Sequence, residues 1–142
     1  MLYAAIDTNV FVAALLSKHE DSATVLLVKQ FVSGKLGLVY DERIFDEYKS
    51  VLQRPKFKFP LNDQNYLLSA VKKYGLMIYP KSTNEILADK KDLPFYEVCM
   101  ANEEFYLVTG NKKHFPTKKF IVTPREMLDI LANVEYNEGE QS

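Results

Sequence analysis

Residues 2–16 read LYAAIDTNVFVAALL: a short apolar run, Leu2 to Ile6, the polar tripeptide Asp7, Thr8, Asn9, and a second apolar run, Val10 to Leu16. The first run has strand length, the second suits a helix, and the tripeptide marks their junction. A strand passing directly into a helix opens an α/β unit. Ligands of open α/β sheets bind outside the carboxyl ends of the strands, so Asp7 is a site candidate from its position alone. The same tripeptide has a purely structural reading. Asp, Thr and Asn are preferred helix caps, and one of them capping the helix that begins near Val10 explains it without chemistry.

The alternation continues outward from this stretch. Strand-length apolar runs fall at Tyr3 to Ile6, Leu36 to Tyr40, Leu76 to Tyr79, Phe105 to Thr109 and Phe120 to Val122. Helix-period segments separate them at Val10 to Leu16, Ala23 to Val32, Glu42 to Gln53, Asp63 to Tyr74, Leu93 to Glu103 and Arg125 to Ala132. Helices between strands imply crossovers and a mainly parallel sheet covered on both faces. The expected fold class is α/β, a three-layer α/β/α sandwich around about five strands. Thr123, Pro124 and Glu126 read as a capping box with proline at the first helical position, and Ser82 with Glu85 offers a second candidate box. No linker divides the chain, so residues 1–134 form one domain. Residues 135–142 are too polar to pack and are expected to be a disordered tail.

Composition narrows the class. The 142 residues are 47% hydrophobic and 26% charged, as in soluble globular domains. Eighteen basic against nineteen acidic residues give a net charge of −1, so nucleic-acid binding needs a local patch, not a global field. The single cysteine, Cys99, excludes an internal disulfide and a cysteine-cluster metal site, and its apolar neighbours suit a buried thiol. No apolar stretch approaches the ~20 residues needed to span a bilayer, and no membrane partner is expected. The simplest home is a reducing cytoplasm.

Further acids stand where chemistry is plausible. In the segment 41–53 the apolar positions Ile44, Tyr48, Val51 and Leu52 form one stripe, and Glu47 falls inside it. A carboxylate there must be paired, hydrogen-bonded, cation-bound or at a cleft rim; a salt bridge to Lys49 or Arg54 is the bland solution. Asp92 follows Asp89 and precedes the helix near Leu93, where it is well placed as an N-cap and also near the strands' carboxyl ends. Glu97, one turn on, either lines the same cleft or faces water. After the fourth strand come Thr109, Gly110 and Asn111, good turn chemistry at the same edge, then Lys112, Lys113, His114 and Phe115. Those lysines, with Lys118 and Lys119, form a basic and aromatic surface suited to a phosphate chain, or a solvated loop. A second basic stretch, Arg54 to Lys58, carries Phe57 and Phe59 between its charges.

Asp7, Glu47 and Asp92, with Thr8, Asn9, Thr109 and Asn111, would converge at one sheet edge. Clustered carboxylates repel unless a cation neutralises them, and oxygen-only ligation favours Mg²⁺ or Mn²⁺. Such ions clamp phosphate oxygens and activate water in phosphodiester hydrolysis.

The segments AIDTNVFVAALL (5–16), EYKSVLQRPKF (47–57) and DKKDLPFYEVCMANEEFYLVTGNKKHFP (89–116), followed by a strand and the capping box, resemble the PIN-domain family. The likeness is closest to the toxin-like branch of bacterial toxin–antitoxin systems and covers residues 3–132. It implies an α/β/α metal-dependent ribonuclease acting on single-stranded RNA. It places the metal-binding acids on Asp7, Glu47 and Asp92 and the polar pair on Thr8 and Asn9. Asn111 stands where many members have aspartate, which points to weak binding of a second cation unless Glu97 supplies charge. Asn111 is then an orienting catalytic group, and Thr8, Asn9, Arg54, Thr109 and Lys112 position substrate. The resemblance also implies a small antitoxin partner. The Tyr66 to Tyr74 region is available for a homo-oligomer face or for core packing. Two rivals stand beside this reading: a non-catalytic RNA-binding or protein-interaction module, and a phosphotransferase with Asp7 as nucleophile. The second lacks its usual aspartate two positions on, where Asn9 stands.

Overall fold

The computed structural model describes residues 1–141. Its centre is a five-stranded, all-parallel sheet of β1 (Tyr3–Ile6), β2 (Gly37–Tyr40), β3 (Leu76–Met77), β4 (Tyr106–Val108) and β5 (Ile121–Val122). Strand order is β3-β2-β1-β4-β5. The flanking helices are α1 (Thr8–Leu16), α2 (Ala23–Val32), α3 (Glu42–Leu52), α4 (Leu61–Tyr74), α5 (Leu93–Cys99) and α6 (Pro124–Gln141). Short 3₁₀ turns occupy Lys90–Asp92 and Lys112–His114. All four residues of β2 and the last three of β1 are buried, so neither strand exposes a face. The expected α/β architecture and all five strands are present.

The order of strands decides where a site can form. From β1 the chain steps outward on one side through β2 and β3, then returns to the opposite flank of β1 for β4 and β5. The chain therefore reverses direction between β1 and β4, and connections leaving their carboxyl ends diverge to open a crevice. The register runs Ala4 to Tyr106 and Ile6 to Val108, and the Asp7 amide extends it by donating to the Val108 carbonyl at 2.9 Å. Asp7 and Thr109, next along each strand, stand at that crevice.

Packing fixes α3 against this edge. Its buried residues are Ile44, Tyr48, Val51 and Leu52, the stripe legible in the sequence. Burial of a side chain such as Ile44 stabilises by roughly 1.5–3 kcal/mol. The Tyr48 ring meets Phe11 edge-on at 5.0 Å, and its hydroxyl donates to the Ile6 carbonyl at 2.5 Å. That bond ties the middle of α3 to the last residue of β1.

Three expectations need correction. The predicted helix from Leu93 to Glu103 stops at Cys99, because the Asn102 side chain accepts the Glu104 amide at 2.8 Å and offers the backbone a turn instead. Ser82 and Glu85 cap no helix; the segment between β3 and the Lys90–Asp92 turn is irregular, and the Thr83 amide goes to Glu97. The final helix does not end at Ala132. With its Thr123–Glu126 box formed reciprocally at 3.0 and 3.1 Å, it runs on to Gln141 where the sequence predicts a disordered tail from residue 135, and residues 135–139 are exposed. Ser142 lies outside the described residues.

Candidate active site

Asp7 serves both readings at once. It is the N-cap of α1, with Oδ1 accepting the Asn9 amide at 3.3 Å, and its Oδ2 accepts the Thr109 hydroxyl at 2.8 Å. Thr109 Oγ1 in turn accepts the Asn111 amide at 3.0 Å. Only 4% of Asp7 is exposed. Burial raises its pKa, against the hydrogen bonds from Thr109 and Asn9 that favour the anion.

Glu47, half-buried on α3, accepts a very short hydrogen bond from Thr8, the first residue of α1. Neither Lys49 nor Arg54 pairs with it among the described residues. Burial raises its pKa; the Thr8 bond opposes this, repulsion from Asp7 adds to it, and Lys91 partly offsets the repulsion.

Asp92 immediately precedes α5 but does not cap it; the capping carboxylate nearby is Asp89, which accepts the Lys91 amide at 2.9 Å. Asp92 instead turns one oxygen, Oδ2, to His114 Nδ1 at 3.3 Å. That oxygen is buried and has no hydrogen-bond partner, so the His114 contact is an ion pair only. Burial, then repulsion from Asp7 and Asp89, lifts the Asp92 pKa to about 6 despite His114.

Three carboxylates, from the β1–α1 junction, α3 and the turn before α5, thus reach one edge; Asp7 repels both Glu47 and Asp92, and Asp89 repels all three. They are not a closed chelate: among the described residues no three His, Cys, Asp or Glu side chains are grouped to hold a metal ion. The repulsion from Asp7 and Asp89 and the buried Asp92 oxygen, which lacks a hydrogen bond, are nevertheless what a divalent cation relieves, and the all-oxygen donors suit a hard ion. Asp7, Glu47 and Asp92 fit such an ion by chemistry.

The remaining candidates separate. Thr8 and Thr109 are 3% and 0% exposed, with hydroxyls engaged by Glu47 and Asp7, so they orient the acids. Asn9 and Asn111 have exposed side chains and contribute backbone amides to the network. Lys112 bonds Glu126 at 3.1 Å, joining the post-β4 loop to α6. Arg54 and Lys91 line one groove with Glu47. Glu97 neither faces water nor approaches Asp7. It is 4% exposed, bound by Arg43 Nη1 at 2.8 Å and by the Thr83 amide at 2.6 Å. Burial alone would raise its pKa, but those bonds outweigh it and hold the carboxyl below its usual range. Arg43 also grips Asp41, which caps α3 through the Ile44 amide. His114, read in the sequence as part of a basic loop surface, and Tyr48, read as a stripe position, make contacts with Asp92 and the Ile6 carbonyl that the sequence does not anticipate. Nothing in their spacing signals either contact, since both depend on which strands are neighbours.

The chain is an all-parallel α/β domain with three acids at the edge where its strand order reverses. The PIN domain family matches residues 3–113, and the chain belongs to that family. PIN domains are typically nucleases and generally use divalent metals. No curated protein and no solved structure matches the chain. No helix among the described residues is long and apolar enough to cross a membrane.

Proposed function

We propose that this protein is an endoribonuclease hydrolysing phosphodiester bonds of single-stranded RNA with Mg²⁺ or Mn²⁺, and the toxin of a toxin–antitoxin pair. The observation that carries the reading is the meeting of Asp7, Glu47 and Asp92 at the switch point, with pKa values raised by burial and mutual repulsion. Asp7 and Asp92 would hold the ion, with Glu47 as third contact. When bound, the ion supplies positive charge to phosphate oxygens and lowers the pKa of water. Thr109 and Thr8 fix the orientation of Asp7 and Glu47. Arg54 and Lys91 offer the nearby positive charge for the phosphate chain. A small antitoxin covering the acidic edge is the expected cellular partner.

The test is cleavage of end-labelled single-stranded RNA with and without Mn²⁺, with duplex RNA and single-stranded DNA as controls. Mn²⁺-dependent internal cuts, lost in Asp7→Asn, support the reading; equal cleavage by the variant overturns it. Induced expression should slow growth in the wild type and not in Asp7→Asn. The acids' failure to close into a ligand set, with the neutral Asn111, favours a second reading, a non-catalytic RNA-binding module. RNA bound without Mn²⁺-dependent products, and indifferent to Asp7→Asn, would establish it.

A further inference from the structure

We infer that the loop joining α3 to α4 is a stacking platform for an unpaired base of single-stranded RNA, with Phe57 as the contact surface. The choice of RNA rests on the nuclease reading above; the platform itself rests on the loop.

The Phe57 and Phe59 rings are stacked, with centroids 5.1 Å apart and planes 13° from parallel. Phe59 packs against the core and backs Phe57, leaving both half-exposed. Between them Lys58 has φ of 53°, the sole non-glycine residue with positive φ among those described. A lysine rarely adopts that conformation without compensation, and in an extended run Phe57 and Phe59 would be separated by the strand repeat. The turn is tight: the Phe57 amide donates to the Arg54 carbonyl at 3.1 Å and that of Lys58 to the Pro55 carbonyl at 3.2 Å. The left-handed residue folds this short loop so that the two rings meet.

Charge identifies the occupant. From Gln53 to Asn62 the chain carries Arg54, Lys56 and Lys58 and no acid, in a protein of net charge −1. No carboxylate among the described residues pairs with any of the three; Lys56 sits over the Phe57 ring, 5.1 Å from its centroid. Aromatic faces interleaved with unpaired cations are the pattern that holds bases and phosphates of single strands. A groove of about 370 Å³ leads back from Arg54 past Val51 and Ser50 to Glu47, with Lys91 on its other wall. The six residue steps from Glu47 to Gln53 cover ~9 Å, so a strand stacked on Phe57 and held at Arg54 lies at the mouth of the groove that Glu47 lines. A duplex, whose bases are already stacked, offers no face to the ring.

The chain contains no tryptophan, so Phe57→Trp creates a single reporter on the platform. Its fluorescence is titrated in EDTA with a 12-nucleotide oligouridylate, an abasic sugar–phosphate chain of equal length and an RNA duplex. Quenching by oligouridylate alone is the expected result; equal quenching by the abasic chain, or none, overturns the inference. In parallel, Phe57→Leu, checked for wild-type melting, should weaken oligouridylate binding roughly 5- to 100-fold and leave abasic binding unchanged. Unchanged oligouridylate affinity in Phe57→Leu also overturns it. Because these readings are metal-free, they stand apart from cleavage: base-dependent quenching without Mn²⁺-dependent products retains the platform and rejects the nuclease.

Discussion

The Thr109 hydroxyl donates to Asp7 Oδ2 at 2.8 Å across the β1–β4 junction, two residues 102 apart in sequence. Thr109 Oγ1 itself accepts the Asn111 amide, so one buried hydroxyl sets both the first acid and the loop beyond β4. Thr109→Val keeps the shape and removes both bonds. It is expected to lower stability by about 1–3 kcal/mol in urea unfolding, because a buried carboxylate oxygen and an amide lose their partner. Mn²⁺ affinity, read by calorimetry, should fall with it; unchanged affinity would show that Asp7 is held by its N-cap role alone.

Asp7→Asn and Asp92→Asn should each reduce Mn²⁺-dependent RNA cleavage by roughly 100-fold or more while the protein stays folded. Burial and repulsion disfavour both charges in the metal-free protein, so neither variant should melt lower than the wild type without metal. A melting temperature that falls in both would mark them as structural acids.

Glu97 gives the opposite pattern. Its carboxylate is satisfied by Arg43 and Thr83 and lies apart from Asp7. Glu97→Gln should lower stability by about 1–3 kcal/mol, moderated by the 47% exposure of the Arg43 side chain, with Mn²⁺ affinity unchanged. A large drop in affinity at unchanged stability would assign Glu97 to the metal.

Stability should depend on pH through Asp92. Its pKa is about 6 in the folded chain against an ordinary 3.8, so between those values the folded state holds more protons than the unfolded one. Stability of the metal-free protein therefore falls as pH rises through this window. The raised values of Asp7 and Glu47 act in the same direction. Glu97 and Glu126, whose pKa values are lowered, act oppositely and at lower pH, losing their contribution as pH falls below about 4.5. Thermal melts in EDTA from pH 4.5 to 7 should show a declining melting temperature, with a shallower slope in Asp92→Asn. An equal slope in the variant would remove Asp92 as the source.

Asn111→Asp returns an acid next to the Thr109 turn. Its side chain is exposed, so the added charge is expected to tighten Mn²⁺ binding without loss of stability. Calorimetric titration beside the wild type checks this.

Local chemistry made much of this legible. The run Leu2 to Leu16 defines β1, the Asp7 cap and α1 because strand length, capping preference and helical period are properties of neighbouring residues. Periodicity likewise reveals the α3 stripe of Ile44, Tyr48, Val51 and Leu52 with Glu47 inside it, and Thr123 with Glu126 shows where α6 begins. Ser82 and Glu85 misled for the converse reason: a partner 14 residues away in sequence, Glu97, claims the Thr83 amide.

By itself the sequence determined the parallel α/β class and offered Asp7, Glu47 and Asp92 as candidates, two of them at element junctions and Glu47 within the α3 stripe. Tertiary structure alone decided that β4 lies beside β1. That pairing brings Thr109 to Asp7 and the loop beyond β4 to Asp92 through His114, while the packing of α5 on α3 sets Glu97 on Arg43. The reason is physical. A helix or strand is specified by residues within a few positions, whereas charge repulsion, burial and hydrogen bonding act between atoms whose distance the chain order does not contain.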